Sequence, residues 1–272
     1  MNARAIKAVV RKDLKIVFQN KSLILPAMFM PLLILVGFPL LVSLFPQLQR
    51  MPGTLLAGID KYLVYMPVGL KAELAGYSQP QMVYAVVLIY FLAPLYLILP
   101  LMISSIIAAD SFAGEKERKT LEALLYSPAT DRELFLAKLL SAWLPALGIA
   151  WGGGLLYSIV VNAAGWHIMG RIFFPNTMWA LLSLWVAPAI AGLGLSVMVL
   201  VSARAKSFQD AYQLGSAVVV PVILLFVAQA AGLFYFNALI TLLLGLVLWV
   251  VDAWLLRLGG QAFRRFDMAR RL

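Results

Sequence analysis

Residues 84–109 read Tyr84-Ala-Val-Val-Leu-Ile-Tyr-Phe-Leu-Ala-Pro-Leu-Tyr-Leu-Ile-Leu-Pro-Leu-Met-Ile-Ser-Ser-Ile-Ile-Ala-Ala109, 26 positions without a charge. A helix rises about 1.5 Å per residue, so roughly 20 apolar residues cross a bilayer core of about 30 Å. Working outward, five more segments carry the same signature. The six candidate spans are 23–45, 84–109, 139–161, 178–202, 214–236 and 238–258. The last two are separated only near Asn237, which predicts a tight hairpin. The apolar residues come in long blocks and not in alternation, which favours helices over a β-barrel. Composition agrees. The 272 residues are 63% hydrophobic and 12% charged, against roughly 45–50% and about 25% in a soluble domain. Such a chain has more apolar surface than one soluble core can bury. The expected fold is an all-α membrane protein with six transmembrane helices, a single transmembrane domain over 1–272.

Proline recurs inside the spans, at Pro31, Pro39, Pro94, Pro100, Pro145, Pro188 and Pro221. In lipid this predicts kinked helices whose freed carbonyls are satisfied by neighbouring helices. Orientation follows from Lys and Arg. Eighteen fall before span one, between spans two and three, between spans four and five, or at the C-terminal end from Arg257 onward. The other side has four: Arg50, Lys61, Lys71 and Arg171. Basic residues stay in the cytoplasm, so both termini are expected there, in an inner or plasma membrane. The first span is too long for a cleaved signal and ends in a poor cleavage site. The net charge of +10 then reflects basic flanks facing anionic lipid and not a nucleic-acid surface.

The chain has no cysteine and one histidine, His167. Disulfides, iron–sulfur clusters and cysteine nucleophiles are excluded, and a histidine metal centre has almost no scope. No Gly-x-x-x-x-Gly-Lys-Ser/Thr or Gly-x-Gly-x-x-Gly occurs, so the chain lacks the loop that cradles nucleotide phosphates. A catalytic constellation is also missing, which argues against an intramembrane enzyme.

Three segments are neither span nor simple loop. Residues 1–22 place Ile6, Val10, Leu14 and Val17 at helical spacing, with Arg4, Lys7, Arg11, Lys12 and Lys15 on the other faces. That pattern predicts an interfacial amphipathic helix. Residues 46–83 form an external loop containing Tyr62-Leu-Val-Tyr-Met-Pro-Val-Gly-Leu70, apolar but too short to span. Residues 110–138 read as two short cytoplasmic helices. The first carries alternating charges, then Leu121, Leu124 and Leu125 on one side, and stops near Tyr126 because Pro128 disfavours helix at Ser127. Thr130 and Glu133 have capping-box spacing and start the next helix toward span three. By spacing alone, the apolar face either docks on a partner or packs on the membrane and its own spans.

The run Glu115-Lys-Glu-Arg-Lys-Thr-Leu-Glu-Ala-Leu-Leu-Tyr-Ser-Pro128, followed by Leu134-Phe-Leu-Ala-Lys138, resembles the signature region of ABC type-2 export permeases. Met102-Ile-Ser-Ser-Ile-Ile-Ala-Ala-Asp-Ser-Phe-Ala-Gly114 is similar to the sodium-export-type branch. Some members of that branch have a large external domain after span one, where this chain has only a 38-residue loop. The resemblance implies a transmembrane permease subunit of an ATP-driven exporter, with an N-terminal connecting helix and a coupling helix between spans two and three. It also implies two copies of an ABC ATPase subunit, which bind the ATP and Mg, and a second permease chain, identical or related. The implied ATPase contact comprises Glu115, Glu117, Arg118, Thr120, Leu121, Glu122, Leu124, Leu125 and Tyr126. The alternatives are a secondary transporter driven by an ion gradient, or a membrane scaffold.

Asp252 is the only carboxylate well inside an expected span. Either it pairs with Arg257 or with the basic N-terminal helix, or it is a cation or proton site, since intramembrane charges are costly and often functional. Glycines at 148, 152, 153, 154, 192 and 194 serve close helix packing or act as hinges. Gln213 and Gln229 either face a pathway or bond a neighbouring helix. Trp166, Trp179 and Trp185 read as interface anchors or lipid-facing bulk, and His167 as external polar surface.

Overall fold

A computed structural model of the chain describes residues 3–19, 29, 33–44, 68–120 and 130–262. No strand occurs among the described residues. The elements are α1 (Ala3–Gln19), α2 (Leu33–Ser43), α3 (Val68–Glu73), α4 (Pro80–Glu117), α5 (Asp131–Met169), α6 (Thr177–Ser202), α7 (Phe208–Ala230) and α8 (Ala238–Ala262).

Five helices, α4 to α8, are long and apolar enough to cross a membrane. The described part of the expected first span, α2, is an apolar helix of 11 residues, and the rest of that span lies outside the described residues. So do most of the external loop and residues 121–129. The most hydrophobic windows of α4 and α6 are each 67% buried, whereas those of α7 and α8 are 17% buried. α4 and α6 therefore form the centre of the bundle and α7 and α8 its periphery. Exposed Leu224, Leu239, Val250 and Trp254 are the side chains a bilayer would cover.

Glycine sets the central approach. A methyl group on Gly194 of α6 would lie 2.7 Å from the Leu101 carbonyl of α4 and 2.6 Å from Ser105 Oγ. Gly165 of α5 does the same against the Tyr84 ring, at 2.5 Å. Gly153 and Gly154 back onto Leu99 and Tyr96, while Gly148 and Gly152 have open space around them.

One proline leaves a carbonyl that another helix takes up. Pro94 has no N–H for the Tyr90 carbonyl, and Gln229 Nε2 of α7 donates to it at 2.5 Å. A wide π turn at Val86–Phe91 exposes two more. Tyr157 Oη donates to Leu88 O at 2.6 Å, and Trp179 Nε1 to Ile89 O at 2.7 Å. Trp179 is thus not a lipid-facing anchor. It is 2% exposed, stacked on Tyr157 at 5.0 Å and set edge-on to Phe174 at 4.9 Å. Its N–H has a carbonyl partner, which lets the large ring be buried. Trp166 is exposed, and His167 Nε2 lies 3.0 Å from the Ser43 carbonyl of α2.

Local chemistry moves several boundaries. The fifth span is Phe208–Ala230, where hydropathy alone suggests 214–236. Ser207 caps its start by accepting from Asp210 N at 3.1 Å, and Gly232 at φ +74° turns the chain out of it. The link between the last two spans is therefore 231–237 and not a near-direct hairpin. Asn237 then caps α8, its Oδ1 accepting from Ile240 N at 2.8 Å. Thr130 and Glu133 form a reciprocal capping box, and α5 runs from it without a break for 39 residues.

The charged run Glu115-Lys116-Glu117 forms the last turn of α4 and does not start a separate helix; the rest of the expected first helix, 121–126, lies outside the described residues. Lys119 adopts φ +56° and Thr120 N–H returns to Glu115 O at 3.0 Å. This left-handed cap ends the helix.

Candidate coupling site

At 38 and 39 residues, α4 and α5 are each nearly 60 Å long, about twice what a bilayer core requires. Their surplus meets at one end of the bundle. There the end of α4, the start of α5 and the N-terminal helix α1 converge on a set of charges.

A wide π turn at Asp110–Gly114 buries all five of its residues. It leaves the Ser111 carbonyl free for a side chain, and Lys138 of α5 takes it. The ammonium of Lys138, only 1% exposed, uses all three of its protons. It donates to Ser111 O at 2.6 Å, Ser111 Oγ at 3.2 Å and Glu115 Oε2 at 2.5 Å. It also lies 5.5 Å from the Phe112 ring centroid. Glu115 Oε1 accepts from Lys12 of α1 at 2.7 Å. Lys12 lies 3.2 Å from Asp13, whose other oxygen has Ser141 Oγ at 3.1 Å and Ser111 Oγ at 3.3 Å.

Two cations and two carboxylates balance, and three chain segments are tied together. Burial works against the Lys12 ammonium, but the Glu115 hydrogen bond and the Glu115 and Asp13 charges outweigh it, holding its pKa above the ordinary lysine value. A buried ion pair survives only when its remaining protons and lone pairs are also satisfied. The two serines do that here.

The neighbours of Glu115 extend the junction. Lys116 Nζ donates to Ala205 O at 3.3 Å, in the link between α6 and α7. Glu117 Oε2 accepts from Phe208 N–H at 2.9 Å, a carboxylate at the positive end of α7. Arg118 Nη1 reaches back to Asp110 Oδ1 at 2.9 Å, and that hydrogen bond raises the guanidinium pKa. Thr120 Oγ1 lies 3.3 Å from Glu115 O. Four consecutive residues, 115–118, thus touch α1, α5, the α6–α7 link, the head of α7 and their own helix.

This placement changes the role expected of Glu115. Its carboxylate is buried and paired inside the chain, so it is not a surface contact. Glu117, Arg118 and Thr120 are exposed or partly so. Leu121, Glu122, Leu124, Leu125 and Tyr126 lie outside the described residues. Asp13, Ser111, Lys138 and Ser141 belong to the site without having been singled out by the sequence. Two signals were present. Asp13 is the lone acid of a basic helix, and Lys138 falls on the same helical face as Leu134, Ser141 and Ala142.

Asp252 sits apart from this junction, in α8 against α6. It is 2% exposed, and among the described residues neither carboxylate oxygen makes a well-formed hydrogen bond, the Ser196 hydroxyl alone lying beside it. The expected pairing with Arg257 or with α1 is not formed. Helix geometry explains the first: five residues on, Arg257 projects to the exposed side. Among the described residues no group of three or more His, Asp or Glu converges as a metal site.

A bundle of long apolar helices with a charged, protein-packed end defines a multi-pass α-helical membrane protein. A family model described as "ABC-2 family transporter protein" matches residues 7–250, and the chain belongs to that family. It is a membrane permease of an ABC transporter, a class that works with ABC ATPase subunits. No curated protein and no solved structure matches it.

Proposed function

We propose that this chain is the transmembrane subunit of an ATP-driven exporter, with six spans, both termini in the cytoplasm and an inner or plasma membrane location. Two ATPase subunits hold the ATP and Mg, and a second permease chain, identical or related, completes the pathway. Export comes with the resemblance of residues 102–138 to type-2 export permeases.

One observation carries the reading. Residues 115–118 at the end of α4 are bonded to α1, α5, the α6–α7 link and α7, and the segment leading away from them carries Leu121, Leu124, Leu125 and Tyr126. A push on that segment is therefore passed at once to α1, α5 and α7. Stiff, charge-balanced joints transmit displacement, because packed elements shift between discrete arrangements and do not deform smoothly. Nucleotide can drive the change only if the ATPase binds this segment with different affinity in its open and closed states. Leu121, Leu124 and Leu125 supply the apolar contact, and Glu117 and Arg118 supply orientation. Glu115 transmits and does not dock.

The test is a pull-down from native membranes followed by ATPase and transport assays. An ABC ATPase copurifies with the wild-type chain. Leu124→Asp combined with Leu125→Asp leaves the permease in the membrane but abolishes ATP-dependent transport. Unchanged transport by the double variant overturns the docking role.

A further inference from the structure

We propose that Asp252 is a proton-binding site between α6 and α8. Its carboxyl is neutral while the two spans are packed together, and it releases the proton when they part far enough to admit water. On release the O–H bond breaks, the electron pair stays on the carboxylate oxygen and water takes the proton. The inference concerns this chain alone and does not rest on how an ATPase docks.

The observations are geometric. α8 lays one face on α6: Gly245 against Trp185, Asp252 against Gly192, Gly259 against Val199. A methyl group on Gly192 would collide with Asp252 Oδ2, so the glycine makes room for a carboxyl group and little more. The Ser196 hydroxyl, one turn beyond Gly192, is beside it but is within 3.1 Å of the Leu193 carbonyl. Trp249 Nε1, one turn before Asp252, is also buried without a partner.

Among the described residues no charge compensates the carboxylate. α6 has no ionisable side chain between Thr177 and Ser202. On α8 the only other charge is the exposed Arg257. α5 reaches α8 at Phe135, beside Gly259 and Gly260, about two turns beyond Asp252. Of the charges on α5 at that end, Lys138 is taken by Glu115, and Asp131, Arg132 and Glu133 lie in its first turn. An isolated ionised carboxylate is far too costly in such surroundings, and the group neutralises instead. A bound proton meets the need in the space available. An alkali cation would need a shell of oxygen ligands, and one carboxyl and one hydroxyl in a glycine-sized niche do not provide it.

Infrared spectroscopy of the purified full chain, labelled with carbon-13 at the aspartate carboxyls, tests the proposal. At neutral pH the wild type shows a protonated-carboxyl band, which Asp252→Asn removes while the thermal midpoint is retained. Raising the pH removes the wild-type band and lowers its thermal midpoint, and the Asn variant lacks that dependence. If Asp252→Asn does not fold, Ser196→Ala reads the same group: the band shifts if it belongs to Asp252. A wild type with no protonated band, a band that persists in Asp252→Asn, or one unmoved by Ser196→Ala overturns the proposal. So does a band that sodium ions remove at constant pH, which would make this a cation site.

Discussion

Lys138 and Glu115 show how a single lysine becomes structural in a greasy chain. Both are almost fully buried, 2.5 Å apart. Removing one leaves the other as an uncompensated buried charge, which typically costs about 3–5 kcal/mol. Lys138→Met and Glu115→Gln should each lower unfolding stability by that order, and the double variant by less than the sum. Thermal unfolding of the four proteins in detergent gives the cycle, and strict additivity would refute the pairing. Lys12 acts more weakly because it is part-exposed. Its pKa is raised in the fold, so its contribution is complete below the ordinary lysine value and fades as pH climbs through the folded value. The stability gap between wild type and Lys12→Met should therefore narrow only in strongly alkaline solution.

At the scale of elements, the approach of helices rests on small residues placed opposite large ones. Gly165 faces the Tyr84 ring, whose hydroxyl donates to the Val161 carbonyl at 3.0 Å. A ring held by that bond cannot swing aside freely. Gly165→Ala should cost about 1–3 kcal/mol through overpacking, whereas Gly152→Ala, with open space around it, should be near neutral. Comparing their thermal midpoints separates packing glycines from incidental ones. The caps act at the same level. Thr130→Ala removes one half of the box that starts α5 and should cost about 1 kcal/mol, read as faster amide exchange in residues 131–134.

Over the whole molecule, the antiparallel α4 and α5 place Lys119 at the charged end and Trp166 at the opposite one. The chain has no cysteine, so one introduced thiol is labelled uniquely. In sealed right-side-out vesicles, Trp166→Cys should react with a membrane-impermeant maleimide and Lys119→Cys should not; inside-out vesicles reverse the result. The opposite pattern would invert the topology and remove the charged end from any cytoplasmic motor.

Hydropathy and charge were enough for the class of protein, and residue spacing for the box that begins α5. These are local properties: bilayer thickness demands a run length, and a cap demands residues three apart. The end of α4 at Glu117, the burial of Trp179 and the partners of Glu115 were not legible. Lys12 lies 103 positions from Glu115, and Asp13 lies 128 from Ser141. No periodicity reports a contact across such distances. The sequence alone determined that this chain crosses a membrane and carries charges between its spans. Only the tertiary structure decided which of those charges neutralise one another and which, at Asp252, has no opposite charge beside it among the described residues, because the worth of a buried charge depends on its neighbours in space.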